Sequence, residues 1–142
     1  METGRFRPVR VLIVEDSPDD VAIAQRAFRA SSVASDLMVA RDGQEAMEVL
    51  LNGTSKPELV LLDIKLPRLD GHEVLRRVRA DDRLAMLPVI MLSASQRPED
   101  VLESYRLGAN SYIQKPVAFG RFQEVLEIFA TYWFEVATLP QQ

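Results

Sequence analysis

Acidic side chains follow two separate apolar segments of this chain. Glu15 and Asp16 come directly after the mostly apolar run 9–14 (VRVLIV), and Asp63 comes directly after 59–62 (LVLL). Runs of this kind, bounded by turn residues, are typical of strands buried in a parallel sheet. If the two strands are neighbours, their carboxyl ends bring three carboxylates together. Such charges repel unless a cation neutralises them, and oxygen-only ligands favour a hard ion such as Mg²⁺.

Two further groups with suitable chemistry follow later strands. The segment 89–92 (VIML) leads into Ser93, and the short segment 110–113 (NSYI) leads towards Lys115. A carboxylate nucleophile, a divalent cation, a hydroxyl donor and an ammonium group together suit phosphoryl transfer onto an aspartate. Each group also has an ordinary alternative. The first acids could simply favour a helix N-terminus, and the serine and lysine could be loop and surface residues.

A repeated strand-then-helix pattern is predicted to position these groups. The predicted strands cover about 9–14, 36–40, 59–62, 89–92 and 110–113. This alternation predicts a doubly wound parallel α/β sheet with right-handed crossovers and strand order 2-1-3-4-5. Strands one and three are then neighbours, so the three acids are expected at the switch point of the sheet. In the fourth helix, Val101, Leu102 and Tyr105 are expected to face the core.

Length and composition restrict the class of protein. The chain has 142 residues, which fits one domain, and it is 47% hydrophobic and 27% charged, as in soluble globular domains. We expect an N-terminal tail over 1–8, one domain over 9–137 and a C-terminal tail over 138–142. The net charge of −4 argues against binding nucleic acid through a basic surface. The absence of cysteine excludes disulfides and thiol catalysis.

The sequence shows no pattern typical of a signal peptide or of a membrane-spanning segment. No apolar run is long enough to span a membrane, and residues 1–8 lack the apolar core of a signal peptide. We therefore expect a cytoplasmic protein that does not enter a membrane.

The strand-end motifs resemble the receiver domain of two-component response regulators. They are 14–16 (VED), 61–63 (LLD), 92–94 (LSA) and 112–116 (YIQKP). The resemblance extends over about 9–140 and implies a flavodoxin-like fold. It also implies a phosphoacceptor that changes its surface to bind other proteins, with no output domain expected after it. Self-catalysed phosphotransfer and autodephosphorylation would be its only enzymatic activities.

The resemblance implies specific roles at the acidic site. Asp63 would accept a phosphoryl group from the phosphohistidine of a sensor histidine kinase. Glu15, Asp16 and Asp63 would hold Mg²⁺, with the backbone carbonyl of Lys65 as a further ligand.

Three other residues would respond to the phosphoryl group. Ser93 would hydrogen-bond the phosphoryl group and move inward, and Tyr112 would turn from an exposed to a buried position as it does so. Lys115 would pair with the phosphoryl oxygens. The peptide bond between Lys115 and Pro116 would be cis, which is inexpensive only before proline.

A narrower resemblance concerns other segments. The segments 66–71 (LPRLDG), 104–110 (SYRLGAN), 132–134 (YWF) and 139–140 (LP) resemble those of short response regulators paired with bacterial and cyanobacterial phytochrome kinases. The implied kinase partner is a bacteriophytochrome.

Two positions depart from the common receiver pattern. Ser93 stands where many receivers have threonine. Lys65 puts a cation two residues after the acceptor, so the resemblance does not fix the lifetime of the phosphorylated form.

The last predicted helix, 119–136, carries more apolar side chains than one core-facing helix needs. We expect the excess, including Ile128, Tyr132, Trp133 and Phe134, to form a homodimer interface with the neighbouring strand. The alternative is that Trp133 and Phe134 fold back on the monomer.

Three other functions share parts of this pattern. An aspartyl-phosphate phosphatase or phosphotransferase would place an acid two residues after the nucleophile, where this chain has Lys65. A pseudo-receiver would bind partners without being phosphorylated, yet the full set of site residues is present. A flavodoxin-like cofactor binder would need a hydroxyl- or glycine-rich phosphate loop after strand one, which the sequence lacks.

Overall fold

The computed structural model describes residues 7–118 and 120–141 and contains one five-stranded parallel sheet. Its strands are β1 (Val9–Val14), β2 (Ser35–Ala40), β3 (Leu59–Leu62), β4 (Val89–Ser93) and β5 (Ser111–Gln114). Its helices are α1 (Pro18–Arg29), α2 (Gly43–Asn52), α3 (Gly71–Ala80), α4 (Pro98–Arg106) and α5 (Arg121–Ala130), followed by a π-helical segment, Thr131–Val136. The strand order β2-β1-β3-β4-β5 confirms the predicted fold.

Some sequence predictions fall outside the described residues. These are residues 1–6 of the expected N-terminal tail, Phe119, the expected first residue of the last helix, and Gln142 of the expected C-terminal tail. Within the described residues, no helix combines the length and hydrophobicity that crossing a membrane requires.

Alternating side chains of the central strands form two separate cores. On β1, Val11 and Ile13 pack with α1 and α5, whereas Leu12 and Val14 pack with α2 and α3. Successive side chains of a strand point to opposite faces, so a continuous apolar strand requires helices on both sides of the sheet. The carboxyl ends of the five parallel strands therefore lie along one edge of the sheet, between the two helical layers.

The prediction that Val101, Leu102 and Tyr105 on α4 face the core is wrong for Leu102 and Tyr105, while Val101 is half-buried. Leu102 and Tyr105 are 59% and 49% exposed, while the small side chain of Ser104 is fully buried. The Ser104 hydroxyl lies 2.9 Å from Nε2 of His72 on α3 and donates to the carbonyl of Asp100 at 2.8 Å. Because α4 packs through this small polar residue, its larger apolar side chains face solvent.

The predicted exposure of Phe134 is also wrong. Its ring is buried against Phe28 and Phe129, with ring centroids 5.2 and 6.1 Å away. In an α-helix, Phe134 would lie about 140° around the axis from Phe129. The last segment is instead π-helical, with the amide of Ala137 donating to the carbonyl of Tyr132 at 2.7 Å. The wider turn brings Phe134 back to the core.

Candidate functional site

Parallel pairing continues past the strand ends and places the polar side chains. The amide of Asp63 donates to the carbonyl of Val14 at 3.1 Å, so Asp63 is held beside the end of β1, where Glu15 follows. In the same way, the amide of Lys115 donates to the carbonyl of Ser93 at 2.8 Å. Backbone pairing in the sheet therefore sets the relative positions of Glu15, Asp63, Ser93 and Lys115, independently of contacts between their side chains.

The three predicted acids lie together at this edge. Carboxylate oxygens of Glu15, Asp16 and Asp63 are all within 4.8 Å of one another. Glu15 and Asp63 are buried, and Asp16 is exposed. A group of oxygen ligands open to solvent on one side fits a divalent cation that keeps some of its water ligands.

Lys115 supplies a cation next to these acids. Its Nζ lies 2.6 Å from Oε1 of Glu15, 3.0 Å from Oδ2 of Asp20 and 3.4 Å from Oδ2 of Asp63. Asp20 is not among the site residues that the sequence predicts. Its place in the first turn of α1 is fully explained by the favourable position of an acid at a helix N-terminus.

A cleft of about 280 Å³ opens beside Asp63. It is lined by Lys65, Ser93 and the loop residues 94–97. Ser93 is buried, and its Oγ accepts a hydrogen bond from the amide of Ser95 at 3.2 Å. The cleft gives a phosphoryl-sized group access to the carboxylate, with a hydroxyl close by.

Tyr112 is tied to the same loop. Its hydroxyl donates to the carbonyl of Ser95 at 3.0 Å, and the ring is half-buried. A movement of Ser93 would therefore reach Tyr112 through Ser95.

The expected cis bond before Pro116 is wrong, since the described residues contain no cis peptide bond. The trans isomer is the lower-energy form even before proline. With this trans bond, the ammonium group of Lys115 contacts the carboxylates of Glu15, Asp20 and Asp63.

The loop after Asp63 is held by close backbone packing at Gly71. The Gly71 amide donates to the carbonyl of Ile64 at 2.7 Å. A Cβ at position 71 would lie only 1.9 Å from the carbonyl oxygen of Asp63. Glycine therefore allows the start of α3 to press directly against the backbone of the acidic site. The amide of Ile64 also donates to Oδ1 of Asp63 at 2.8 Å, which orients the carboxylate.

Burial shifts the protonation of the site. Desolvation raises the pKa of Glu15 and of Asp63, although Lys115 counteracts both shifts. Burial alone would lower the pKa of Lys115, but the hydrogen bond to Glu15 and the charges of Asp63 and Glu15 outweigh it and raise that pKa. The lysine therefore stays charged, and the two buried carboxylates retain protons to a higher pH than exposed ones.

These shifts predict how cation binding depends on pH. A carboxylate must lose its proton to bind a metal ion, so we expect affinity for Mg²⁺ or Mn²⁺ to fall as pH decreases. The decrease should begin above the ordinary pKa values of 4.5 and 3.8, because both folded-state values are raised. Below the raised pKa values, the affinity for the metal ion should fall about tenfold per pH unit for each proton that the metal displaces. Calorimetric titration at several pH values measures this dependence. An affinity that does not change as the pH falls to the ordinary pKa values would contradict the prediction.

Comparison with known proteins identifies the family. The model of the response regulator receiver domain matches residues 11–127. Response regulator Rcp1 of Synechocystis sp. is 33% identical over 138 residues, covering 94% of both chains. The crystal structure of its Mn²⁺-bound form superposes with a TM-score of 0.90, covering 94% of this chain and all of that one.

Two further solved structures have related descriptions. The phosphorylated cyanobacterial phytochrome response regulator RcpA is 34% identical, with a TM-score of 0.90, covering 95% of this chain and all of that one. The bacteriophytochrome response regulator AtBRR is 37% identical, with a TM-score of 0.69, covering 95% of this chain and 99% of that one. The resemblance to phytochrome response regulators is thus confirmed, and the chain belongs to the response regulator receiver domain family.

Proposed function

We propose that this protein is a response regulator that accepts a phosphoryl group on Asp63 in a Mg²⁺-dependent reaction. The observation that carries the proposal is the setting of the Asp63 carboxylate. It is buried, grouped with two other acids, 3.4 Å from the Lys115 ammonium and open to a cleft lined by Ser93. This arrangement brings together a nucleophile and the groups that would neutralise a transferred phosphoryl group.

The chemistry is a phosphoryl transfer between a histidine and an aspartate. An oxygen of Asp63 attacks phosphorus, the P–N bond to the donor imidazole breaks, and that nitrogen keeps the electron pair and takes a proton. Glu15, Asp16, Asp63 and the carbonyl of Lys65 would hold Mg²⁺, which supplies positive charge to the phosphoryl oxygens. Lys115 stays protonated and supplies a second positive charge.

The surface change would start at Ser93. A phosphoryl group on Asp63 offers acceptor oxygens to the Ser93 hydroxyl across the shared cleft. Since Ser93 and Tyr112 are both hydrogen-bonded to Ser95, movement of Ser93 shifts the loop that leads into α4. The exposed apolar side chains of α4 would move with it.

The proposed partner is a sensor histidine kinase, specifically a bacteriophytochrome. Support comes from the descriptions of RcpA and AtBRR as phytochrome and bacteriophytochrome response regulators. The exposed Lys65, two residues after the acceptor, counts against the alternative of an aspartyl-phosphate phosphatase.

The acceptor function is tested by intact mass spectrometry. After incubation with a small acyl-phosphate donor and Mg²⁺, we expect one added phosphoryl group. Omitting the metal should reduce the yield at least about tenfold, because the carboxylates then repel the incoming anion. Candidate kinases are then compared by transfer from their phosphorylated form. No adduct from either type of donor would contradict the proposal and support a pseudo-receiver instead.

We also propose a homodimer that involves the β5 edge of the sheet. β5 is the last strand of the sheet, and both flanking helices carry exposed apolar side chains: Leu102 and Tyr105 on α4, and Ile128 on α5, with Tyr132 beyond it. Ile128 is 68% exposed and Tyr132 is 52% exposed. Trp133 is half-buried against the core and contributes less to this surface than the sequence suggests.

Ile128→Glu is expected to weaken this dimer, because it places a charge in an apolar contact. Sedimentation equilibrium should show a dissociation constant at least about tenfold higher than for the natural protein. Met86→Glu is the matched control, since Met86 is 73% exposed on the loop before β4, and it should leave association unchanged. A monomeric natural protein at micromolar concentration, phosphorylated or not, would contradict the proposed dimer.

A further inference from the structure

A second cleft, here called the amino-edge cleft, lies at the edge of the sheet opposite Asp63. Its walls are the loop before β3, the loop before β4 and residues near both ends of the described chain. They include Arg7, Arg10, Lys56, Glu58, Leu84, Leu87 and Pro140. The cleft encloses about 620 Å³, a volume in the range of small-molecule sites.

The floor of the amino-edge cleft is apolar. Leu50, Leu84, Leu87 and Pro57 line it, and all four are buried in the body of the protein. This floor is fixed by the core that α2 and β4 share, so it does not have to form when a ligand arrives. A flat apolar group placed on it would lose contact with water.

The rim of the cleft is positively charged. Arg7, Arg10 and Lys56 line it, and among the described lining residues the only acid is Glu58. Arg7 and Arg10 share this carboxylate through long contacts of 3.6 and 3.9 Å. The cleft thus has excess positive charge in a chain whose net charge is −4. Cations set in a concave apolar surface attract anions more strongly than cations on an open surface.

Backbone contacts hold two of these cations over the floor. Nε of Arg10 donates to the carbonyl of Lys56 at 2.6 Å, and Nζ of Lys56 lies 3.4 Å from the carbonyl of Leu50. Arg83, the remaining lining cation, is paired with Asp81 through two short contacts of 3.1 and 2.9 Å. The Arg7, Arg10 and Lys56 group is therefore the part of the rim that an anion would contact.

We propose that the amino-edge cleft binds a small amphiphilic anion. Its ring or chain would rest on Leu84 and Leu87, and its carboxylate, sulfonate or phosphate would pair with Arg10, Lys56 and Arg7. The enclosed volume favours a small molecule over an acidic protein segment, which would need a broader surface. This ligand site is separate from the phosphoacceptor, because the two clefts lie at opposite ends of the strands.

The test uses 2-naphthalenesulfonate as the probe and two-dimensional amide NMR of the full chain as the readout. We expect saturable shifts at 54–58 and 83–87, and binding at least tenfold weaker in the double variant Arg7→Gln/Lys56→Gln. Arg121→Gln is the control. It removes a positive charge by the same type of substitution at an exposed position on α5, and it should not change binding of the probe. The neutral analogue 2-naphthol should bind at least tenfold more weakly than the sulfonate.

Four results would overturn the proposal, and the first three concern the sulfonate probe. These three are non-saturating shifts, shifts centred on the Asp63 cleft, and equal affinity in the double variant and in Arg121→Gln. Equal binding of 2-naphthol would show an apolar pocket with no anion preference and would also overturn it. An acidic peptide that displaces the probe, and binds more tightly than any small anion tried, would replace the small-molecule ligand with a protein one.

Discussion

Asp63→Asn is expected to abolish phosphoryl incorporation completely, both from a small acyl-phosphate and from a kinase. The amide keeps the size of the carboxylate, but its oxygen is a poor nucleophile and it carries no charge for a metal ion. Because the substitution is nearly isosteric, the hydrogen bond from the Ile64 amide to Oδ1 can persist and the fold should be retained. Intact mass measured over time, with Mg²⁺ present, quantifies the loss.

Asp20→Asn is the matched control for this experiment. It also converts a carboxylate next to Lys115 into an amide, yet Asp20 is outside the group of three acids that fits a cation. Lys115 keeps its contacts with Glu15 and Asp63, so phosphorylation should stay within about tenfold of the natural rate. An adduct of equal yield in Asp63→Asn would place the acceptor elsewhere. Loss of phosphorylation in both variants would show only that the charge balance around Lys115 is essential.

Gly71→Ala is expected to lower the free energy of unfolding by about 3 kcal/mol, the upper part of the usual range for overpacking. The new methyl group would meet the carbonyl oxygen of Asp63 at 1.9 Å, and a backbone oxygen cannot move aside as a flexible side chain can. The loop after β3 would have to shift, taking Asp63 with it. Phosphorylation should therefore slow as stability falls. Urea unfolding, compared with the rate of adduct formation, measures both effects.

Gly120→Ala separates close packing from backbone strain. Gly120 has φ of 85°, where an alanine costs about 1 kcal/mol. Among the described residues other than its chain neighbours, no atom lies within 4 Å of a Cβ placed there. We expect a loss of about 1 kcal/mol for this variant and no direct effect at Asp63. Equal losses in the two variants would contradict the packing argument at Gly71.

The sequence was sufficient to predict the sheet and which of its strand ends carry the candidate site residues. Asp63 and Glu15 each follow directly after an apolar strand. Because parallel pairing aligns the ends of these strands, the sequence alone predicts that the two acids lie close together. Ser93 and Lys115 were placed by the same rule on the next two strands. These predictions depend only on strand order and on which residue follows each strand.

The predictions that were wrong depend on local geometry that spacing does not show. α-Helical periodicity through the last segment predicts an exposed Phe134, but that segment is π-helical. Leu102 and Tyr105 were assigned to the core because they are large and apolar, although α4 packs through Ser104. Asp20 was missed because its helix-terminus position already had an explanation, and only the three-dimensional structure brings it to Lys115.

The π-helical turn before Ala137 has a consequence for how this chain tolerates changes in length. A π turn holds more residues than an α turn over a similar rise, so the end of the last helix has the form of an α-helix with an inserted residue. Removing one residue between Phe129 and Phe134 would give an α-helical spacing of four, which also puts both rings on one side. The aromatic contact can thus survive a one-residue deletion here. Alignments of related chains across 131–136 should therefore permit a one-residue gap before residues are equated.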